Sequence, residues 1–226
     1  MREIVLDTET TGLDPADGHR IVEIAGIELV NHMPSGRVFH RHVNPERDMP
    51  EDAYAVHGLS AEFLAGFPAF DSHADELLEF LGEAKLIIHN AEFDLRFINA
   101  ELRRLGKEPL RCEVEDTLAL ARRRFPGAQA SLDALCRRFA IDLAARTKHG
   151  ALLDCELLAA VYLELIGGRQ PGLEFIADSG LASAGADVAV DRPVRPARPH
   201  AVLPEELAAH AAMLQLLTKP IWLAAG

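Results

Sequence analysis

The sequence predicts an α/β protein in which a mixed sheet of about five strands is flanked by helices. Strand-length apolar runs come first along the chain, and later ones alternate with segments of helical periodicity. Hydrophobic residues make up 49% and charged residues 26% of the 226 residues, which is typical of a folded globular protein. Strands followed by alternating strands and helices favour a mixed sheet with helices packed on its faces.

The first three strands are predicted from apolar runs that turn residues separate. Residues 3–7 form a short apolar run, and residues 21–30 are dominated by isoleucine and leucine. A third run at 38–43 follows a turn predicted at 34–36, and residues 12–18 also have turn composition. These three strands are expected to form a meander.

Helices and two more strands are predicted for the rest of the folded unit. Residues 71–81 place Ala74, Leu77 and Leu81 on one face of a helix. A short strand at 85–89 precedes a helix at 91–105 that ends at Gly106. Another strand near 112–114 is followed by helices near 117–124, 131–139 and 150–166.

The chain is expected to divide into a folded domain, a linker and a helical tail. The apolar pattern ends near Ile166, so the domain is assigned to residues 1–168. Residues 181–200 are rich in alanine, proline and arginine without apolar periodicity, which indicates a linker within 169–200. Leucines 203, 207, 214 and 217 then form a stripe, which predicts a C-terminal helix within residues 201–226.

Charge and composition limit the functions that the sequence allows. The formal net charge of −12 opposes a nonspecific grip on nucleic acid, so any such substrate needs bound cations or a tethering partner. No apolar run reaches the roughly 20 residues of a membrane helix, and no signal peptide is evident, so we expect a cytoplasmic protein without membrane contact. Cys112, Cys136 and Cys155 are widely spaced and are expected to be buried, reduced thiols.

Two carboxylates at the end of the first strand are candidate metal ligands. Asp7 and Glu9 stand two residues apart, so on an extended chain they project to the same face. A cation between them would relieve their repulsion, and oxygen ligands suit Mg²⁺ or Mn²⁺. From this segment alone, a solvated acidic turn is an equal alternative.

Two further segments carry ionisable residues near predicted helix starts. Asp94 follows an apolar strand and lies in the first turns of a helix, where it could bind a ligand or simply complement the helix dipole. The neighbouring Phe93 fits the core better than a base-stacking role. His149 is predicted on the loop before the last domain helix, and Asp154 lies one turn inside that helix. Alone, His149 fits an exposed loop histidine better than a catalyst.

Together these segments resemble a known family. The segment 7–12 (Asp-Thr-Glu-Thr-Thr-Gly), the segment 89–94 (His-Asn-Ala-Glu-Phe-Asp) and the segment 149–154 (His-Gly-Ala-Leu-Leu-Asp) resemble, in order and spacing, the three motifs of DEDDh exonucleases. That class has the ribonuclease-H-like fold, and the resemblance covers residues 3–166. With the segment 131–136 (Ser-Leu-Asp-Ala-Leu-Cys), the motifs are similar to the epsilon proofreading subunits of bacterial DNA polymerase III.

The resemblance implies a 3′-to-5′ exonuclease that removes nucleotides from a DNA 3′ end with two divalent ions, Mg²⁺ or Mn²⁺. The implied metal ligands are Asp7, Glu9, Asp94 and Asp154. His149 matches the histidine that activates water, and imidazole titrates close to neutral pH.

The same resemblance bears on the residues that would contact substrate. The backbone from Thr10 to Gly12 could hold the terminal 3′-hydroxyl, because glycine permits a close approach. His57 and Phe93 match residues that flank the terminal base. For His57, a solvated loop histidine is the alternative.

Two segments beyond the predicted domain indicate protein partners. Gln170, Leu173 and Phe175 resemble the short peptide that bacterial proteins insert into the sliding clamp, although such motifs also occur by chance. A clamp would tether the acidic protein to DNA. Trp222 lies in a short apolar tail, and epsilon subunits attach to the polymerase catalytic subunit through such a tail. Folding of the tail back onto the domain is the alternative.

Two other functions are compatible with these motifs. The same carboxylates and histidine serve RNA-trimming exonucleases, and nothing in them reads a 2′-hydroxyl. A non-catalytic adaptor between clamp and polymerase is the second alternative, which the intact catalytic motifs oppose.

Overall fold

A computed structural model describes residues 1–144, 148–167 and 203–217. The chain divides into two compact units, Met1–Phe175 and Ile176–Gly226. The first contains a five-stranded sheet, which confirms the predicted fold class. Its strands are β1 (Arg2–Thr10), β2 (Ile21–Val30), β3 (Met33–His42), β4 (Lys85–Ile88) and β5 (Val114–Asp116).

The sheet is mixed, with spatial order β3-β2-β1-β4-β5. β1, β2 and β3 pair antiparallel and form the predicted meander. β4 pairs parallel with β1, and β5 pairs parallel with β4. In the β1–β2 register Asp7 lies opposite Ala25, and Glu9 lies opposite Glu23. β1 is therefore a central strand whose carboxyl end carries two acidic residues.

Helices of the first unit cover both faces of the sheet. In chain order they are α1 (Glu51–His57), α2 (Ala61–Leu64), α3 (Asp71–Leu81), α4 (Ala91–Arg104), α5 (Thr117–Arg124), α6 (Leu132–Arg138) and α7 (Ala151–Leu165), and a 3₁₀ turn spans Pro15–Asp17. A further helix, α8 (Pro204–Gln215), belongs to the second unit.

Several boundaries differ from those predicted. β1 continues to Thr10, because Glu9 and Thr10 still pair with β2. β3 begins at Met33, because Asn31 and His32 adopt positive φ angles of 51° and 66° and close the hairpin at once. The turn predicted at 34–36 is therefore wrong, and those residues lie inside β3.

The sheet separates two apolar clusters. Ile4 and Leu6 of β1 face the cluster that α3 and α4 cover. Val5 faces the opposite cluster, which α6 and α7 cover. Because side chains alternate along a strand, Asp7 and Glu9 continue the row of Val5 and face the side of α7.

The cysteines are free thiols, and Cys136 and Cys155 are buried, whereas Cys112 is only half-buried. Among the residues that the structure describes, no helix combines the length and apolarity needed to cross a bilayer.

Candidate active site

The first strand and the last domain helix bring carboxylates together. Glu9 is 8% exposed and Asp154, the fourth residue of α7, is 4% exposed. Glu9, His149 and Asp154 each offer one ligand atom, and these three atoms lie within 4.8 Å of one another. Residues that are 145 positions apart in sequence thus meet at the carboxyl end of β1.

Asp94 enters the same region from the β4–α4 connection. Asn90 adopts a left-handed conformation with φ of 68°, which asparagine tolerates, and its N–H donates to Asp116 Oδ1 at 3.1 Å. The chain thereby turns directly from β4 into α4. Asp94 is 2% exposed and accepts a hydrogen bond from Thr8 Oγ1 at 2.7 Å.

His149 lies just before α7, as predicted, with Gly150 as the N-cap residue. Its backbone N–H donates to Val56 O at 3.2 Å, which ties this loop to α1. Its Nδ1 lies 3.4 Å from Asp154 Oδ2, and half of the side chain is exposed. The imidazole therefore sits beside the carboxylates at the solvent boundary.

Burial and mutual repulsion disfavour the charged forms of these acids. Burial raises the pKa of Asp7 well above its usual value, and the charges of Asp94, Glu9, Asp154 and Glu23 raise it further. Burial also raises the pKa of Asp94 to about 7, against the opposing hydrogen bond from Thr8. Bound divalent cations would favour the charged forms of these carboxylates instead. The set of oxygen donors therefore fits hard metal ions.

A cavity of about 510 Å³ opens beside the carboxylates. Its lining includes all four residues predicted to contact substrate: Thr10, Gly12, His57 and Phe93. Thr10 directly follows Glu9, and Phe93 directly precedes Asp94, so the cavity adjoins the acidic centre. A nucleotide-sized group has room there.

His57 and Phe93 hold defined positions in the cavity wall. His57 is buried rather than solvated, and its Nδ1 accepts a hydrogen bond from Leu59 N–H at 3.0 Å. Burial lowers the pKa of His57, which favours a neutral ring. Phe93 packs partly on the core, 5.0 Å from the Phe97 ring, and also lines the cavity. Its predicted core role and its role at the cavity therefore coexist.

Gly12 has a structural role in addition to the predicted approach of substrate, which stays a prediction. A Cβ atom at this position would overlap the imidazole of His19. His19 Nδ1 lies 3.1 Å from Thr11 Oγ1, and both Gly12 and His19 line the cavity. Glycine thus makes room for a histidine of the same loop.

Sequence reasoning missed three residues that shape the centre: Thr8, His19 and Glu23. A signal existed for Glu23, because an acidic residue inside the apolar run of β2 is unusual unless it has a buried partner. Glu23 is 5% exposed, and its Oε2 accepts a hydrogen bond from Ala151 N–H at 3.0 Å. Thr8 and His19 carried no such signal.

The proposed partner-binding residues Gln170, Leu173, Phe175 and Trp222 lie outside the described residues. Their roles stay predictions from sequence.

Comparisons with known proteins agree on one family. The family model for exonucleases matches residues 4–162. DNA polymerase III subunit epsilon of Rickettsia felis is 54% identical over 180 residues, which is 78% of this chain and 79% of that protein. The subunit of the same name from Escherichia coli is 42% identical over 229 residues, covering 96% of this chain and 94% of that protein.

Solved exonuclease structures share the fold. Exonuclease X in complex with 5′ overhanging duplex DNA aligns with a TM-score of 0.57 at 27% identity, over 73% of this chain and 90% of that chain. An exonuclease I structure aligns with a TM-score of 0.66 at 17% identity, over 75% of this chain and 41% of that chain. At 17% identity, the similarity to exonuclease I shows a shared fold and nothing further.

Proposed function

The chain belongs to the exonuclease family and, within it, to the epsilon subunits of DNA polymerase III, and from this we propose the residues that perform its 3′-to-5′ hydrolysis of DNA. Asp7, Glu9, Asp94 and Asp154 hold divalent cations. His149 accepts the proton of the attacking water. The cavity holds the terminal nucleotide that proofreading removes.

The observation that carries the proposal is the convergence of buried acids whose charges repel. Asp7 has a raised pKa because burial and neighbouring carboxylates disfavour its ionised form. A fold that keeps such a cluster beside a cavity needs a compensating charge, and family membership implies divalent metal ions. We propose that Asp7, Glu9, Asp94 and Asp154 would hold two ions, Mg²⁺ or Mn²⁺, which would supply Lewis-acid stabilisation of the charge that develops in a phosphodiester displacement.

Side chains of the protein orient the metal ligands, accept the proton and contact the substrate. Thr8 orients Asp94 through the 2.7 Å hydrogen bond, and the start of α7 fixes Asp154. Asp154 Oδ2, 3.4 Å from His149 Nδ1, orients the imidazole beside the carboxylates, where it can take up a proton. Thr10 and Gly12 offer backbone to the 3′-hydroxyl, and His57 and Phe93 flank the terminal base.

The partners follow from the same family. As an epsilon subunit the chain associates with DNA polymerase III and acts on DNA. We propose that Trp222 and its neighbours contact the polymerase catalytic subunit, and that Gln170, Leu173 and Phe175 bind the sliding clamp. The proposal includes an exonuclease domain at 1–168, a linker at 169–200 and a polymerase-binding tail at 201–226. It also places the protein in the cytoplasm.

The proposal is tested with the purified full chain, Mg²⁺ or Mn²⁺, and 5′-labelled single-stranded DNA, mispaired duplex and RNA. We expect a ladder of DNA products shortened from the 3′ end and slower cleavage of RNA. Asp7→Ala and Asp154→Ala should abolish nucleotide release. Asp75→Ala is the matched control, because Asp75 is an exposed carboxylate that pairs with Lys107 on the surface. Wild-type release by either active-site variant would exclude the proposed centre, whereas preferred cleavage of RNA would favour the RNA-trimming alternative.

A further inference from the structure

Three side chains on β2 and β3 form a second group of potential metal ligands. Glu23 and His42 lie directly opposite each other in the β2–β3 register, and His40 lies two residues from His42 on the same face. Glu23 Oε1 lies 2.6 Å from His40 Nε2 and 3.7 Å from His42 Nε2. One ligand atom from each residue lies within 4.8 Å of the other two.

The carboxylate of this group is held in place before any ion arrives. The Glu23 side chain is 6% exposed, and its second oxygen accepts the backbone N–H of Ala151 at 3.0 Å. A carboxylate that is oriented by an outer hydrogen bond is typical of protein metal sites. Oε1 is thereby directed toward the two imidazoles.

The imidazoles are packed and yet reachable from solvent. The His42 ring contacts Phe63 and Phe67 with ring centroids 5.2 and 5.0 Å away, and contacts the His40 ring at 5.0 Å. The side chains of His40 and His42 remain 30% and 23% exposed, which leaves a path for an ion and water. Burial lowers the pKa of His42, so its ring is neutral and can donate a lone pair.

The electrostatic environment favours a cation at this position. Glu23 lies opposite Glu9 in the β1–β2 register, and its charge contributes to the raised pKa of Asp7. The site is therefore next to the acidic centre but has a different donor set. Two imidazoles and one carboxylate suit zinc-type transition ions, whereas Mg²⁺ prefers oxygen ligands and keeps several waters.

We propose that Glu23, His40 and His42 bind a transition-metal ion of the zinc type at a site distinct from the four-carboxylate centre. Ligand atoms around tetrahedral zinc are separated by about 3.3 Å, given bonds of about 2.0–2.1 Å. Binding would therefore lengthen the 2.6 Å contact and shorten the 3.7 Å contact. Because Glu23 also holds Ala151, the ion links the β2–β3 hairpin to the start of the helix that carries Asp154.

The proposal is tested by zinc binding to a full chain in which substitutions weaken metal binding at the neighbouring four-carboxylate centre. In an Asp7→Asn/Asp154→Asn background, equilibrium dialysis with zinc chloride followed by elemental analysis gives the number of zinc ions per chain. We expect one zinc ion fewer when either His42→Ala or His40→Gln is added. X-ray absorption at the zinc edge should show imidazole scattering that these changes reduce.

The variants separate a metal site from a structural hydrogen bond. His40→Gln retains a side chain that can donate to Glu23, so this chain should fold as judged by circular dichroism even if His42→Ala does not. His32→Ala is the matched control, because His32 Nδ1 also lies near a buried glutamate, Glu3, at 2.8 Å, but in a pair rather than in a group of three. Zinc binding should be unchanged in this control. Equal zinc binding by the folded His40→Gln chain and its background, or zinc scattering without imidazole, overturns the proposal.

Discussion

The carboxylates of the active site are held where their own charge is unfavourable. Asp7 and Asp94 have raised pKa values mainly because they are buried, and Asp7 also because other acids surround it. In the folded chain without metal, these groups therefore bind protons more tightly than in the unfolded chain. The proposed metal site would thus gain affinity for cations at the expense of the stability of the metal-free protein.

This balance predicts how the metal-free protein responds to pH. An unfolded aspartate titrates near pH 3.9, whereas folded Asp94 titrates at about 7. Between these values the folded state holds more protons, so stability falls as pH rises through this window and the loss is complete above it. Thermal melts in chelator should show a lower Tm at pH 8 than at pH 6, and Mg²⁺ or Mn²⁺ should restore stability mainly at pH 8. Asp94→Asn should weaken the pH dependence, and an unchanged slope in this variant would contradict the assignment.

The role of His149 is a separate prediction. Loss of a general base lowers turnover by about 10²–10⁴-fold. We expect His149→Ala to show this loss while its affinity for Mn²⁺, measured by calorimetry on the same preparation, changes little. Because the ligand atoms of Glu9, His149 and Asp154 lie within 4.8 Å of one another, a collapse of Mn²⁺ binding would instead identify His149 as a ligand.

At the scale of secondary-structure elements, a buried ion pair fixes the loop that borders the cavity. Arg20 donates to Glu101 on α4 through Nε at 2.6 Å and through Nη2 at 3.0 Å. The backbone of Arg20 also exchanges hydrogen bonds with Thr11, which lines the cavity. α4 therefore carries Asp94 and, through Glu101 and Arg20, also supports Thr11 in the lining of the cavity.

Removing one partner of this pair should be costly. Breaking a buried ion pair leaves an uncompensated charge and costs about 3–5 kcal/mol, and the partial exposure of Arg20 favours the lower end. We expect Glu101→Gln to lower the free energy of unfolding by about 3 kcal/mol in urea denaturation. Glu108→Gln is the control, since Glu108 pairs with Arg111 on the surface and should change little. Equal effects of the two changes would refute the importance of this pair.

Elements with strong periodicity were predictable, whereas two short helices were not. The helix over 71–81 was predicted with the bounds that α3 has, because its apolar face packs on the core. α1 and α2 were missed, since they have seven and four residues and each buries only one side chain. The spacing of Asp7 and Glu9 made them candidate metal ligands, with a solvated turn as the alternative. The position of Glu23 beside them depends on strand register, which local sequence does not reveal.

At the scale of the whole molecule, a net charge of −12 must be reconciled with a polyanionic substrate. Cations in the active site neutralise charge only locally, so long-range attraction of DNA is weak. Tethering to other proteins on DNA raises the effective concentration of the 3′ end without requiring a basic surface. The two predicted tethers, at 170–175 and 201–226, should act separately.

Loss of the tether at 170–175 and loss of the tether at 201–226 should have different effects in binding experiments. Replacing Gln170, Leu173 and Phe175 with alanine should weaken clamp binding without changing hydrolysis of a short single strand. Truncation after His200 should release the polymerase catalytic subunit while clamp binding persists. Gel filtration with each partner measures both effects. Slower hydrolysis by the alanine variant would argue against the clamp assignment, and an intact polymerase complex after truncation would argue against the role of Trp222.

The packing of α7 on the first strand also constrains synthesis of the protein. Cys155 Sγ lies 3.7 Å from Val5 O, and Tyr162 Oη donates to Glu3 Oε1 at 2.8 Å. The strand made first is thus completed by α7, the last helix of this unit that the structure describes, and Asp154 joins Glu9 only when that helix docks. A nascent chain that still lacks α7 cannot assemble the proposed centre. Nuclease activity should therefore report that α7 has docked on β1.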